Sequence, residues 1–226
     1  METLRKIWKK FGKRYKAEKA KTIEQIAIFG FADTHPADKL YKEAYQVAYA
    51  LAKAGYTIVD GGGPGVMEAA SRGAKAAGGK VIGVTFYPEG VNHFEGKSPN
   101  NPLDVEIKTG NYLERTLTLL KEAQVYVIFN GATGTLSEFA MAWGMARIYF
   151  GHHKPLILYG GFWRSIMKSL SSNLMLRTEE AKVYKIVDSP EGVLHAIKRF
   201  EEEIQQGKHK HLQADRGSGG QGDFTV

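Results

Sequence analysis

The chain has 226 residues, the size of one large α/β domain or at most two small ones. Hydrophobic residues make up 43% and charged residues 24%, a globular balance that excludes disorder along most of the length. Cysteine is absent, which excludes a disulfide framework, a thiol nucleophile and a thiolate metal site, and fits a reducing cytoplasm, the expected location.

The net charge is +7, and a basic protein suggests nucleic acid. The distribution of that charge changes the picture. Residues 1–22 hold nine Lys/Arg and two acids, and the remainder holds 22 of each sign. The body is neutral. In the first segment Leu4, Ile7, Trp8, Phe11 and Tyr15 recur at helical spacing among the bases, which predicts a basic amphipathic helix. Two roles stay open for it: an arm for nucleic acid or an acidic membrane, or a helix whose apolar stripe packs on the body or a partner subunit. No charged start leads into an apolar h-region, so no secretory signal is expected.

Residues 23–206 alternate short apolar strands with helices. The strands are predicted at Ile26–Phe29, Tyr56–Val59, Val81–Thr85, Val125–Phe129, Pro155–Tyr159 and Val183–Val187, with a weaker one at Val105–Ile107. Runs that are apolar throughout suit a parallel sheet covered on both faces. The clearest helix is Ala37–Ala54, where Leu40, Ala44, Val47, Ala48 and Leu51 form a stripe and Gly55 ends it. The alternation predicts a single Rossmann-like domain of the α/β class: a doubly wound parallel sheet with helices on both faces, binding its ligand beyond the strands' carboxyl ends. Residues 207–226, with five glycines and few apolar side chains, predict a disordered tail.

Two glycine-rich loops follow predicted strands and open helices. The first is Asp60-Gly61-Gly62-Gly63-Pro64-Gly65-Val66-Met67-Glu68. It is not the dinucleotide fingerprint, which needs glycine where Val66 stands, and no Gly-Lys-Ser/Thr follows to make a phosphate-binding P-loop. By itself it is either an anion cradle or a tight strand-to-helix turn. The second is Asn130-Gly131-Ala132-Thr133-Gly134-Thr135-Leu136-Ser137-Glu138. Thr135 can offer its hydroxyl and N–H to a phosphate oxygen, and Glu138 lies one turn further in, near the same helix end. Their spacing is equally that of a capping box, in which both side chains satisfy orphan amides. The spacing leaves both readings open.

Together the loops resemble the Lonely Guy family, whose members hydrolyse the N-glycosidic bond of nucleoside 5'-monophosphates. The family's GGGPG-[IV]-MEAA is matched throughout at Gly61–Ala70, and its PGG-x-GT-x-x-E aligns with Asn130–Glu138. Between them, Tyr112-Leu113-Glu114-Arg115-Thr116 aligns with the segment that carries the family's substrate-contacting arginine. Helical spacing alone predicts Leu113, Leu117 and Leu120 as that helix's buried stripe, with Arg115 pointing elsewhere; the resemblance places Arg115 in the site. Three departures stand out: Asn130-Gly131-Ala132 replaces Pro-Gly-Gly, Thr116 replaces a lysine, and Phe31 replaces a serine. The Cβ of Ala132 is expected to crowd a bound phosphate.

The resemblance implies an enzyme, a phosphoribohydrolase releasing free base and ribose 5-phosphate. It implies Glu138 and Arg115 as catalytic residues. Gly131, Thr133, Gly134 and Thr135 would bind phosphate, while Gly61, Gly62, Gly63, Gly65, Met67 and Glu68 would line the ribose and base side. It implies an AMP-like ligand, no metal, no cofactor, and a homodimer or larger assembly. The competing reading is a non-catalytic nucleotide or molybdenum-cofactor binder on the same fold, which the departures favour.

Overall fold

The computed structural model describes residues 23–87, 96–148, 154–176, 180 and 183–205. The basic segment 1–22 and the tail 207–226 lie outside the described residues, so the expectations for them are untouched.

Among the described residues, seven strands alternate with six helices. They run β1 (Gln25–Phe29), α1 (Lys39–Lys53), β2 (Thr57–Asp60), α2 (Val66–Ala76), β3 (Val81–Phe86), β4 (Val105–Thr109), α3 (Tyr112–Glu122), β5 (Val125–Ile128), α4 (Thr133–Ile148), β6 (Leu156–Tyr159), α5 (Phe162–Asn173), β7 (Tyr184–Val187) and α6 (Pro190–Gln205). The strands form one sheet in the order β4-β3-β2-β1-β5-β6-β7. Every adjacent pair is parallel, with Ile26 of β1 opposite Ile58 of β2 on one side and Val125 of β5 on the other. The expected α/β fold, doubly wound and parallel, is the observed one.

Strand alternation sorts the core into two layers. Ile26, Ile28, Val125 and Val127 point to one face and pack beneath α1, α2 and α6, through residues such as Leu51, Ala70 and Ile197. Ala27, Phe29, Tyr126 and Ile128 point to the other and pack beneath α3, α4 and α5, through Leu119, Phe139 and Trp163. Both faces are covered, which is why the buried run Ile26–Phe29 of the central strand β1 is apolar throughout. The indole of Trp163 also donates to the Ile128 carbonyl at 3.1 Å, tying α5 to the end of β5.

Helix α3 departs from its predicted face. Leu113 and Leu117 are 65% and 52% exposed, while Arg115, Thr116, Leu119 and Leu120 are buried. The helix starts from a capping arrangement: Asn111 Oδ1 accepts the Glu114 N–H at 2.9 Å, and Glu114 Oε2 accepts the Gly110 N–H at 2.7 Å. Arg115 stands one turn from Leu119 on the buried side and points inward. No helix among the described residues is long and apolar enough to cross a membrane.

Candidate active site

The strand order reverses between β1 and β5, and the loops that follow these two strands part there to leave a crevice. Its volume is about 590 Å³. Residues 28–33, Gly61, Met67, Phe86, Gly96, Tyr112, Arg115, residues 132–135, Ser137 and Glu138 line it.

The two glycine loops play different parts. The first is closed on itself. Asp60 Oδ1 accepts the Gly62 N–H at 2.7 Å, Asn101 Nδ2 donates to the Gly63 carbonyl at 2.9 Å, and the Ser98 N–H donates to the Gly62 carbonyl at 2.9 Å. The Val66 N–H, at the start of α2, donates to the Phe31 carbonyl at 2.9 Å. Gly65 sits at φ +65°, and a Cβ there would collide with the Phe31 and Ala32 carbonyls. These glycines let two backbones touch. Gly61 and Met67 reach the crevice, whereas Gly62, Gly63, Gly65 and Glu68 are not among its lining residues. Glu68 instead pairs with Arg72 at 2.7 Å and accepts the Ser98 hydroxyl at 3.0 Å.

The second loop is open. The Leu136 N–H, donating to the Ala132 carbonyl at 3.0 Å, makes the bond of α4's first turn. The amides of Thr133, Gly134 and Thr135 therefore precede any helical partner and stand at the positive end of the helix. Thr133 and Gly134 are exposed at the crevice. Gly131 is not a lining residue, but a Cβ on it would strike Thr135 Oγ1, so its smallness seats the Thr135 side chain. Tyr112 braces the same turn: its hydroxyl lies 2.7 Å from Ser137 Oγ, and Ser137 donates to the Gly134 carbonyl at 2.7 Å.

Arg115 and Glu138 meet at the floor, each 7% exposed. Arg115 Nε donates to the Val84 carbonyl at 3.0 Å and Nη2 to the Gly61 carbonyl at 3.2 Å. Its Nη1 lies 3.8 Å from Glu138 Oε1, an ion-pair distance too long for a hydrogen bond. Burial pushes the Glu138 carboxyl up to about 7, against the opposing pull of Arg115. No main-chain amide among the described residues binds Glu138. Helix α4 begins at Thr133, so Thr135 lies inside the first turn and not at the cap. The capping-box reading of Thr135 and Glu138 is thereby corrected; the cap of this kind belongs to Asn111 and Glu114.

Sequence reasoning gave no part to Asp60, Asn101 or Tyr112. An acid closing a strand before a glycine run was a signal for Asp60. The other two owe their places to contacts distant in sequence. Met141, Trp143 and Met145 pack against the α4-side core.

A parallel sheet with this strand order, carrying an open helix start and a buried Arg–Glu pair at its switch point, defines a Rossmann-like ligand-binding domain. The chain belongs to the SLOG cluster4 family, whose profile matches residues 23–191, and the resemblance to the Lonely Guy family holds. A cytokinin riboside 5'-monophosphate phosphoribohydrolase of Mycobacterium marinum is 32% identical over 140 residues, covering 61% of this chain and 71% of that protein. Among solved structures, the molybdenum cofactor binding protein of Rippkaea orientalis is 29% identical, with a TM-score of 0.57 over 79% of this chain and 97% of its own. The molybdenum cofactor carrier protein of Chlamydomonas reinhardtii is 25% identical, with a TM-score of 0.57 over 80% and 99%.

Proposed function

We propose that the protein is a nucleoside 5'-monophosphate phosphoribohydrolase, acting on AMP-like nucleotides to release the base and ribose 5-phosphate. The observation that carries this reading is the Glu138 carboxyl: buried, bound to no main-chain amide among the described residues, and one helical turn beyond the open start of α4. A phosphate on the amides of Thr133, Gly134 and Thr135 would place its ribose toward that carboxyl. Breaking the ribosyl–base bond builds positive charge on the sugar and negative charge on the base. Glu138 in its ionised form stabilises the sugar cation and takes a proton from the attacking water. Arg115 offsets charge on the departing base or holds the nucleotide. Phe86, Tyr112 and Met67 supply an apolar wall for the base.

Incubating the protein with a panel of nucleoside monophosphates and measuring free base and ribose 5-phosphate tests the assignment. Release that Glu138→Gln abolishes supports it. Binding without release from any nucleotide favours the second reading, a non-catalytic nucleotide or molybdenum-cofactor binder. That reading draws on the exposed Ala132 where the resembling motif has glycine, and on the likeness to cofactor-binding structures.

We also propose a homodimer or larger assembly in the cytoplasm. Leu113 and Leu117 lie one turn apart on α3 and Leu136 lies on α4, the last 52% exposed, and Tyr112 bonds the start of α3 to the α4 turn that carries Leu136. Exposed apolar groups clustered in this way mark an association surface.

A further inference from the structure

Asp60, the last residue of β2, is fully buried, and nothing in the reaction above uses it. Its Oδ1 accepts the Gly62 N–H at 2.7 Å and lies 3.5 Å from Asn101 Nδ2; its Oδ2 accepts the Ser71 hydroxyl at 2.6 Å. All three donors are neutral, and a buried carboxylate calls for a counter-charge. Among the described residues the cation whose charge reaches it is Arg115, held beside it at the Gly61 carbonyl, with a smaller effect than burial or the Ser71 and Gly62 hydrogen bonds. The same guanidinium faces Glu138. One cation thus serves two buried carboxyls.

The hydrogen bonds show which way the cation leans. Nη2 bonds the carbonyl of Gly61, the residue directly after Asp60, and Nε bonds Val84 at the end of β3. The Asp60–Gly62 turn fixes the peptide that receives Nη2. Nη1 is left 3.8 Å short of Glu138. Asp33, which follows β1 at the rim of the crevice, is exposed to solvent, and three acids on the surrounding elements are engaged elsewhere. Glu68 on α2 pairs with Arg72. Glu106 on β4 pairs with Lys97 at 2.8 Å and accepts the Thr85 hydroxyl at 2.7 Å. Glu114 on α3 accepts the Gly110 N–H.

We propose that Asp60 is a positioning residue: it draws Arg115 toward the β2–β3 edge of the crevice and so keeps Glu138 out of a closed ion pair. The catalytic meaning of this arrangement rests on the phosphoribohydrolase reading. A closed pair would hold the Glu138 carboxyl ionised and tied to the guanidinium; the gap leaves it able to exchange a proton with water near neutrality.

The test is Asp60→Asn in the full-length protein. Asparagine keeps both short bonds, accepting from Gly62 and donating to Ser71 Oγ. Carbon-13 NMR follows the Glu138 side-chain carboxyl, identified by its loss in Glu138→Gln. With Asp60 neutral, Arg115 closes on Glu138, and the midpoint of that titration falls by about half a pH unit or more. The reciprocal measurement needs no change at Asp60: in Glu138→Gln, the Asp60 carboxyl titrates at lower pH than in the wild type, and this decides the matter if Asp60→Asn does not fold. Unmoved titrations in folded protein overturn the proposal. Moved titrations with no base release by the wild-type protein from any nucleotide uphold the role of Asp60 and refute the phosphoribohydrolase reading. Base release with unmoved titrations does the reverse.

Discussion

Arg115 Nη1 stops 3.8 Å from Glu138 Oε1 although both side chains are buried. The guanidinium is held by the carbonyls of Val84 and Gly61, and Arg115 is the charge that acts on the carboxyl. Such a group keeps its proton economy separate from the ion pair, as a general base must.

Glu138→Gln is expected to lower the rate of base release by about 10²–10⁴-fold while AMP still binds. Single-turnover kinetics alongside calorimetric titration checks this. Equal loss of binding and turnover would show that Glu138 holds substrate and does no chemistry.

Stability should report the same carboxyl. Burial raises Glu138 from 4.5 to about 7 and Asp60 from 3.8 to about 6. Between the unfolded and folded values the native state binds more protons than the unfolded chain, so these groups make stability fall as pH rises through that window. Their cost is complete above about 7. Glu138→Gln removes its share and is expected to stabilise the fold at pH 8 by on the order of 3 kcal/mol, with little effect at pH 4. Urea unfolding at the two pH values measures the difference. Activity runs oppositely, rising as pH climbs through about 7 and the base ionises.

The two loops predict opposite responses to one added methyl. Gly65→Ala forces a side chain into φ +65° and against two carbonyls, and should destabilise the fold by at least about 2 kcal/mol. Gly134→Ala meets little but the Tyr112 hydroxyl at 3.6 Å. It should leave the melting temperature unchanged or higher while weakening AMP more than adenosine. Thermal melts and binding titrations separate the two outcomes. Ala132→Gly is expected to tighten AMP, as removal of the crowding Cβ requires.

Leu117→Glu should convert the assembly to monomer, as read by light scattering. A wild-type protein that is already monomeric at micromolar concentration contradicts the proposed association surface.

Much of the fold was legible because a sheet covered on both faces demands apolar strands, and six of the seven showed them. The weak one, β4, lies at the sheet edge, and its Val105 is 47% exposed, so nothing forces it to be apolar. The site was legible in part. Glycine content cannot distinguish a loop whose amides find Asp60 and Phe31 from one whose amides face a crevice, because Phe31 and Asn101 are distant in sequence. Periodicity failed at α3 for a related reason. Leu113 and Leu117 share a helical face, but spacing cannot say whether that face meets the core or another molecule. The choice between a capping box and an open site at Thr135 and Glu138 turned on the helix boundary, which spacing leaves undetermined: starting α4 at Thr133 moves Thr135 off the cap.

The most direct measurement is a crystal structure of the Glu138→Gln protein soaked with AMP. The account predicts the phosphate on the amides of Thr133, Gly134 and Thr135, with the anomeric carbon beside residue 138 and the base against Phe86 and Tyr112. A phosphate seated elsewhere, or a ribose turned away from residue 138, contradicts it.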